Sequence, residues 1–438
     1  MTITEENTKM TDVPMDAALM SRAAQEESRE HVDGRRRWVL LWSLLINFFV
    51  LLALYNGVIS VLLPNQVAAL DPASKATNLA IVMVFTSIFS TLTTPISGAL
   101  SDRTRSRWGR RSPWIALGSL IGAACLFGTS LVTTLWSITV LWVMAAIALN
   151  SMQGPLSTVI ADRVAPESRG TASGFIGAGM TAGGTVGIIV AGHLASQLVL
   201  GYLVFALAIA ACCVAFVLLN RELPSTHIQP APFRLGAFLR SFWINPRQYP
   251  DFGWAFLGRF TIYLGYQGVV TYQLYILQDY IKLPVEQANI VIGNISIITF
   301  VTLMLSGLCS GFLSDRVGRR KPFVFFSSVV MGVACTVPLL MPTVTGMYIY
   351  AAVIGLGYGA FTAVDMALMT QVLPKDTGST GKDLGILTTA VNIPQAISPV
   401  MSAWLLGLSG GDYGVLFIAA IIFVFLSSFF VLPIKAVR

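Results

Sequence analysis

Twelve apolar runs, each long enough to cross a lipid bilayer, occupy most of the 438 residues. They lie near 38–63, 78–101, 113–133, 136–160, 171–198, 201–219, 252–279, 287–314, 322–342, 345–371, 384–408 and 413–433. A spanning helix needs about 20 mostly apolar residues. Lipid offers no water to an unpaired backbone group, so segments of this length cross as helices. Glycines and prolines inside the runs are compatible with this, because neighbouring helices satisfy the freed groups. Only 11% of residues are charged and 55% are hydrophobic. A soluble domain carries about 25% charged residues, so this chain cannot cover a globular surface with charge. The expected class is an all-α integral membrane protein. The first 37 residues are polar and mixed in charge, the composition of a disordered tail. The run that starts at Trp38 is too long for the core of a signal peptide, so no cleaved leader is expected.

The placement of Lys and Arg sets the orientation. With the N-terminus inside, 25 of the 28 fall on inside segments; Lys75 and Lys282 lie outside and Arg259 within a run. Basic residues concentrate on the cytoplasmic side of membrane proteins, so both termini are expected in the cytoplasm of a multi-pass protein of the cell (plasma or inner) membrane.

One inside segment raises a further question. GFLSDRVGRRKPF, residues 311–323, puts five charges into residues 315–321, between two apolar runs. Residues 98–113, GALSDRTRSRWGRRSP, carry nearly the same text 213 positions earlier. The two copies follow the second and eighth runs, and the long inside segment 220–250 divides the runs six and six. IADRVAPESRG after the fourth run and TQVLPKDTGS after the tenth form a second echo. The expected organisation is a tail 1–37, a six-helix half 38–219, a cytoplasmic linker 220–250, a second half 251–434 and a cytoplasmic end 435–438. Duplicated halves of this kind imply a transporter with its site between them.

On these residues the chain resembles the major facilitator superfamily over nearly its full length. Gly311, Leu313, Ser314, Asp315, Arg316, Gly318, Arg319, Arg320 and Lys321 match the family's signature after a second helix without a gap. Gly98, Leu100, Ser101, Asp102, Arg103, Gly109, Arg110 and Arg111 match with four extra residues within TRSRW. The resemblance implies twelve transmembrane helices in two pseudo-symmetric six-helix bundles. It also implies a latch, with Asp102 against the N-terminal end of the eleventh helix and Asp315 against that of the fifth. A carboxylate there gains from the helix dipole, about 0.3–2 kcal/mol per contact. Gly98 and Gly311 would let a neighbour approach, and the latch would close only when the cytoplasmic ends meet. The plainer reading is topological: Arg105, Arg107, Arg110 and Arg111 hold the loop inside. That leaves the repeated Gly and Asp without a role. The expected cytoplasmic gate is Gly98, Asp102, Arg103, Gly311, Asp315, Arg316, Arg319 and Arg320.

In this family the first, fourth, seventh and tenth helices line the cavity. Polar residues in this chain recur at helical spacing in those runs: Asn47, Tyr55 and Asn56 in the first, and Asn150, Gln153 and Ser157 in the fourth. The seventh carries Arg259, Tyr263, Tyr266, Gln267 and Gln273; the tenth carries Tyr358, Thr362 and Asp365. Thr388, Asn392 and Gln395 form a stripe in the eleventh. A polar stripe in lipid is costly unless it faces water or another helix. For any one Asn, Thr or Tyr, bonding between helices explains it as well as substrate contact. Arg259 and Asp365 lie equally deep from the cytoplasmic ends of adjacent runs, which predicts an ion pair. A carboxylate released from such a pair is desolvated, and its protonated form is favoured. The pair reads either as a proton-coupling site or as a static strut.

PISGALSDRTRSRWGRRSPWI resembles the glycoside–pentoside–hexuronide cation symporters. KDLGILTTAVNIPQAISPV and GRFTIYLGYQGVVTY resemble the sucrose–proton symporter-like group. The first group carries an acidic pair where this chain has Ser90 and Thr94, which favours protons over sodium. The implied function is proton-coupled uptake of a sugar or glycoside, since aromatics stack on sugar rings and amides pair with hydroxyls. The rival is a proton-driven efflux antiporter for drugs or another small solute. The fifth run, GFIGAGMTAGGTVGIIVAG, lacks the proline that exporters of the superfamily carry; its Gly179, Gly183 and Gly187 read as a packing seam. An enzyme is disfavoured by three histidines, His31, His193 and His227, and by cysteines confined to apolar runs. No phosphate-binding loop suggests ATP-driven pumping. The expected partners are a small solute, a proton and the bilayer. No cofactor, metal or nucleic acid is expected, and the expected state is a monomer.

Overall fold

The computed structural model describes residues 32–165, 168–222, 224, 249–317, 319–372 and 380–434. Twelve helices cross these residues. In the first half they are α1 (Gly34–Leu70), α2 (Lys75–Ser101), α3 (Ser112–Thr129), α4 (Leu135–Arg163), α5 (Arg169–Leu194) and α6 (Leu198–Leu219). In the second they are α7 (Pro250–Thr271, continued by Gln273–Tyr275 and Ile276–Tyr280), α8 (Val285–Val317), α9 (Lys321–Leu340), α10 (Val344–Val372), α11 (Thr380–Leu408) and α12 (Gly414–Val431). Ten are long and apolar enough to cross a membrane among the described residues, and α7 and α11 complete the set. Leu218, Phe326, Trp404 and Phe429 stand exposed on the outer faces, as side chains that meet lipid do and those that meet water rarely do.

The packing repeats with a shift of six helices. In the first half α1 packs on α5 and α6, α4 on α2 and α3, and α3 on α6. In the second, α7 packs on α11 and α12, α10 on α8 and α9, and α9 on α12. The contacts between halves obey the same rule, since α2 meets α11 and α8 meets α5. Two pseudo-symmetric six-helix bundles follow.

Close packing between helices in lipid needs small residues at the seam. A Cβ at Gly179, Gly183 or Gly187 of α5 would lie 2.6, 2.1 or 2.1 Å from the carbonyl oxygens of Leu45, Phe49 and Ala53 of α1. Backbone therefore meets backbone along this seam, as the spacing of four predicts.

The first helix outruns its expected end at residue 63. It passes through a π-helical turn, Val58–Leu62, and continues to Leu70. Pro64 follows that turn. It has no N–H to donate, and its ring crowds the preceding turn; a wider turn accommodates both. The duplicate helix α7 has a π-helical turn at the matching end, Ile276–Tyr280.

Candidate functional site

The first copy of the repeated loop forms a charge cluster around one buried arginine, with Asp102 exposed at its edge. Arg111 is 4% exposed. Its guanidinium pairs with Asp102 at 2.6 Å and donates to Asp162 at 3.0 Å and to the Ser101 hydroxyl at 2.5 Å. Arg110 pairs with Asp162 at 2.7 Å. The chain leaving α6 then folds back. Glu222 accepts from the backbone N–H of Arg111 and Ser112 at 2.9 and 3.2 Å, capping the start of α3. Gly109 makes room: its φ is +89°, and a Cβ there would lie 2.1 Å from the Glu222 carboxylate. Arg110 and Arg111 are thus structural ties. Glu222 escapes a reading of the sequence, because its partners lie about 110 residues away and nothing local marks it.

Burial pushes the Glu222 carboxyl above the ordinary glutamate range, against the pull of the two N–H bonds and of Arg163 and Arg111. The folded state therefore binds this proton more tightly than the unfolded chain does. Its contribution to stability is largest at low pH and falls as pH rises from the ordinary glutamate value through the raised one. The slope is at most about 1.4 kcal/mol per pH unit. Glu222→Gln keeps an acceptor and should flatten that part of the stability profile, read by thermal unfolding of the detergent-solubilised protein.

The second copy is described in part. The guanidinium of Arg316 sits 4.2 Å above the Phe312 ring, and Arg319 is exposed. Arg103 and Arg320 both engage in interactions. The side chain of Asp315, Gly318 and the side chains of the first turns of α11 lie outside the described residues. A Cβ added at Gly98 or Gly311 would meet no described atom within 4 Å, and the same holds at Gly170, Gly174 and Gly177 of α5. The partners expected at the two repeated glycines include the first turns of α11, whose side chains lie outside the described residues.

The opposite end is closed. Lys75 pairs with Asp279 at 2.8 Å, its ammonium 4.8 Å from the Tyr275 ring. Asn65 of α1 donates to Asn289 of α8 at 2.8 Å. The Tyr275 hydroxyl donates to the Pro64 carbonyl at 2.9 Å, and that of Tyr272 lies 3.0 Å from the carbonyls of Ala76 and Pro399. The backbones of α5 and α8 also touch, since a Cβ on Gly192 would lie 2.3 Å from the Asn289 carbonyl oxygen.

Between these ends lie the polar stripes. In the first half Asn150 of α4 donates to the Tyr55 hydroxyl of α1 at 3.0 Å and to the Ser90 hydroxyl of α2 at 3.1 Å. Asn56 donates to its own helix at Leu52 and sits against Gly184 of α5. Gln153 is half-buried, and Ser157 bonds its own helix at Gly154. Asn47 is buried and donates to the Ser43 carbonyl, away from this set.

In the second half the structure brings Arg259 and Asp365 together. Nη1 of Arg259 lies 3.4 Å from Oδ2 of Asp365, and both side chains are 7% exposed. Nε and Nη1 of Arg259 make no hydrogen bond among the described residues. The guanidinium lies 5.9 Å from the Tyr263 ring. Tyr266 and Tyr358 stack at 4.4 Å, and the Tyr358 hydroxyl lies 3.4 Å from that of Tyr263. Thr362 back-bonds to Tyr358, and Gln267 donates to Thr271. Asn392 and Gln395 are half-buried on α11, beside Ser398, which donates to the Leu264 carbonyl of α7 at 2.8 Å. The side chain of Thr388 lies outside the described residues. The result is a buried ion pair beside a group of packed tyrosine rings.

The sequence profile described as Major Facilitator Superfamily matches residues 44–308 and 255–437. An uncharacterized symporter of Synechocystis sp. is 40% identical over 78 residues, 16% of this chain and 14% of that protein. The cis,cis-muconate transport protein of Acinetobacter baylyi is 24% identical over 291 residues, 64% of this chain and 67% of that protein. Among solved structures, a bacterial homolog of the human lysosomal transporter Spinster, inward-facing and unoccupied, superposes with a TM-score of 0.69 at 15% identity. That superposition covers 92% of this chain and 99% of the other. A D-xylose–proton symporter superposes with a TM-score of 0.64 at 15% identity, covering 91% of this chain and 98% of the other. These structures share the fold.

Proposed function

The chain belongs to the major facilitator superfamily, and on that premise we propose that it couples the uptake of a sugar or glycoside to protons by alternating access. It is a multi-pass membrane transporter and not an enzyme. The observation that carries the coupling is the buried Arg259–Asp365 pair beside the stacked Tyr266 and Tyr358. An ion pair inside the membrane is costly to keep unless it does work, and a carboxylate freed from it is poised to take a proton. The Tyr55, Ser90 and Asn150 network supports protons over sodium, because neutral hydroxyls and an amide stand there. The likeness to a symporter over 78 residues supports coupled transport and bears on neither ion.

With the Lys- and Arg-rich segments in the cytoplasm, the closed end faces outside and this conformation is inward-open. The repeated charged loops then act as the cytoplasmic gate. Asp102 rests on Arg111 in this conformation and, when the halves close, turns toward the start of α11; Asp315 does the same toward α5. Tyr55, Asn56, Asn150, Gln153, Tyr263, Tyr266, Gln267, Tyr358, Thr362, Asn392 and Gln395 are the substrate-facing set.

The test is solute-driven proton entry into proteoliposomes, read by a trapped pH dye across a panel of sugars and their acids. Entry without sodium is expected. A strict sodium requirement overturns the proton reading. Silence across the panel from folded protein overturns the sugar reading.

A further inference from the structure

The guanidinium of Arg259 is under-used. It offers five N–H donors in a planar fork. Asp365 meets it with one oxygen at 3.4 Å, beyond the range of a good hydrogen bond. Nε and Nη1 are nine-tenths buried with the side chain and have no acceptor among the described residues. A buried donor left unmade is expensive, and a carboxylate is the group that fits such a fork with two parallel bonds. The surroundings add a ring-binding wall, since Tyr263 lies beside the guanidinium and Tyr266 stacks on Tyr358.

We infer that the transported solute is a sugar acid, whose carboxylate Arg259 takes in competition with Asp365 while its ring lies against Tyr263 and Tyr358. This rests on the transport reading above and names the substrate class of that same site. With two charged carboxylates on the Arg259 guanidinium the buried site would carry a net negative charge, which low-dielectric surroundings disfavour. The incoming carboxylate displaces Asp365, which takes one proton from the side that is open. When the solute leaves, Asp365 returns to Arg259 and gives the proton up. The anion and the proton cross together, so each cycle moves no net charge. Arg259 is the charged group facing Asp365 among the described residues. Tyr263 and Tyr358 are the nearest titratable neighbours, and Cys335 of α9 lies beyond them near Tyr266.

The experiment pairs neutral sugars with their acids, glucose with glucuronate and galactose with galacturonate. Proteoliposomes carrying the full chain are read for proton entry and for current at once. The acids are expected to drive proton entry at least tenfold better than the sugars, with no current. Proton entry with inward current from the neutral sugars overturns this inference and leaves the transport reading standing. Silence from both pairs removes both. Muconate serves as a non-sugar arm: if it alone drives protons, the sugar part of both readings falls. Arg259→Lys keeps the charge and loses the fork, so the half-saturating acid concentration should rise about tenfold with the maximal rate little changed. Arg259→Gln combined with Asp365→Asn removes both charges and protects folding. In that variant the thermal stabilisation by glucuronate should vanish, and stabilisation that survives overturns the role of Arg259.

Discussion

Asp365→Asn should abolish accumulation against a gradient while leaving exchange of solute across the membrane. With one proton per solute, an inward gradient of about two pH units supports up to about 100-fold accumulation, since each unit is worth about 1.4 kcal/mol. The amide cannot carry that proton, so the internal concentration should level at the external one. Exchange needs only that the loaded carrier reorient, and an amide leaves the site neutral, as protonated Asp365 would be. The substitution also strands Arg259, which is 7% exposed and has Asp365 as its ion-pair partner. Breaking one side of a buried pair costs about 3 kcal/mol. The variant should therefore melt early, and Arg259→Gln added to it should restore stability without restoring accumulation. Wild-type accumulation by Asp365→Asn would sink the coupling role and leave the pair as a strut.

The second large effect is steric. Gly183→Ala adds one methyl group 2.1 Å from the Phe49 carbonyl oxygen and 2.7 Å from its Cα. Neither atom can rotate away, because both belong to the α1 backbone, so α1 and α5 must separate. Alanine gains about 1 kcal/mol over glycine in a helix interior, and overpacking of this kind typically costs about 1–3 kcal/mol, occasionally more. Contact this deep between two backbones lies at the upper end, so a net loss of about 2 kcal/mol is expected. Gly177→Ala on the same helix is the control. No described atom lies within 4 Å of its added methyl, so the propensity gain stands alone and stability should hold or rise. Equal melting temperatures for the two variants would show that the seam does not limit stability.

The twelve spans, their division six and six, and the equal depth of Arg259 and Asp365 were all written in the sequence. Lipid compels each crossing segment to satisfy its own backbone, so length and polarity within one run decide where a helix lies. The duplicated text located two equivalent loops, and the four-residue glycine spacing located a seam. What only the tertiary structure decided are contacts between segments remote in the chain. Asn65 with Asn289, Lys75 with Asp279, and Glu222 with the start of α3 join residues separated by 224, 204 and about 110 positions. No periodicity in one helix specifies its partner on another. The same holds for which end of the molecule is shut. Closure is a choice between two packings of the same side chains, separated by a few kcal/mol, and a pattern shared by both states cannot single out either.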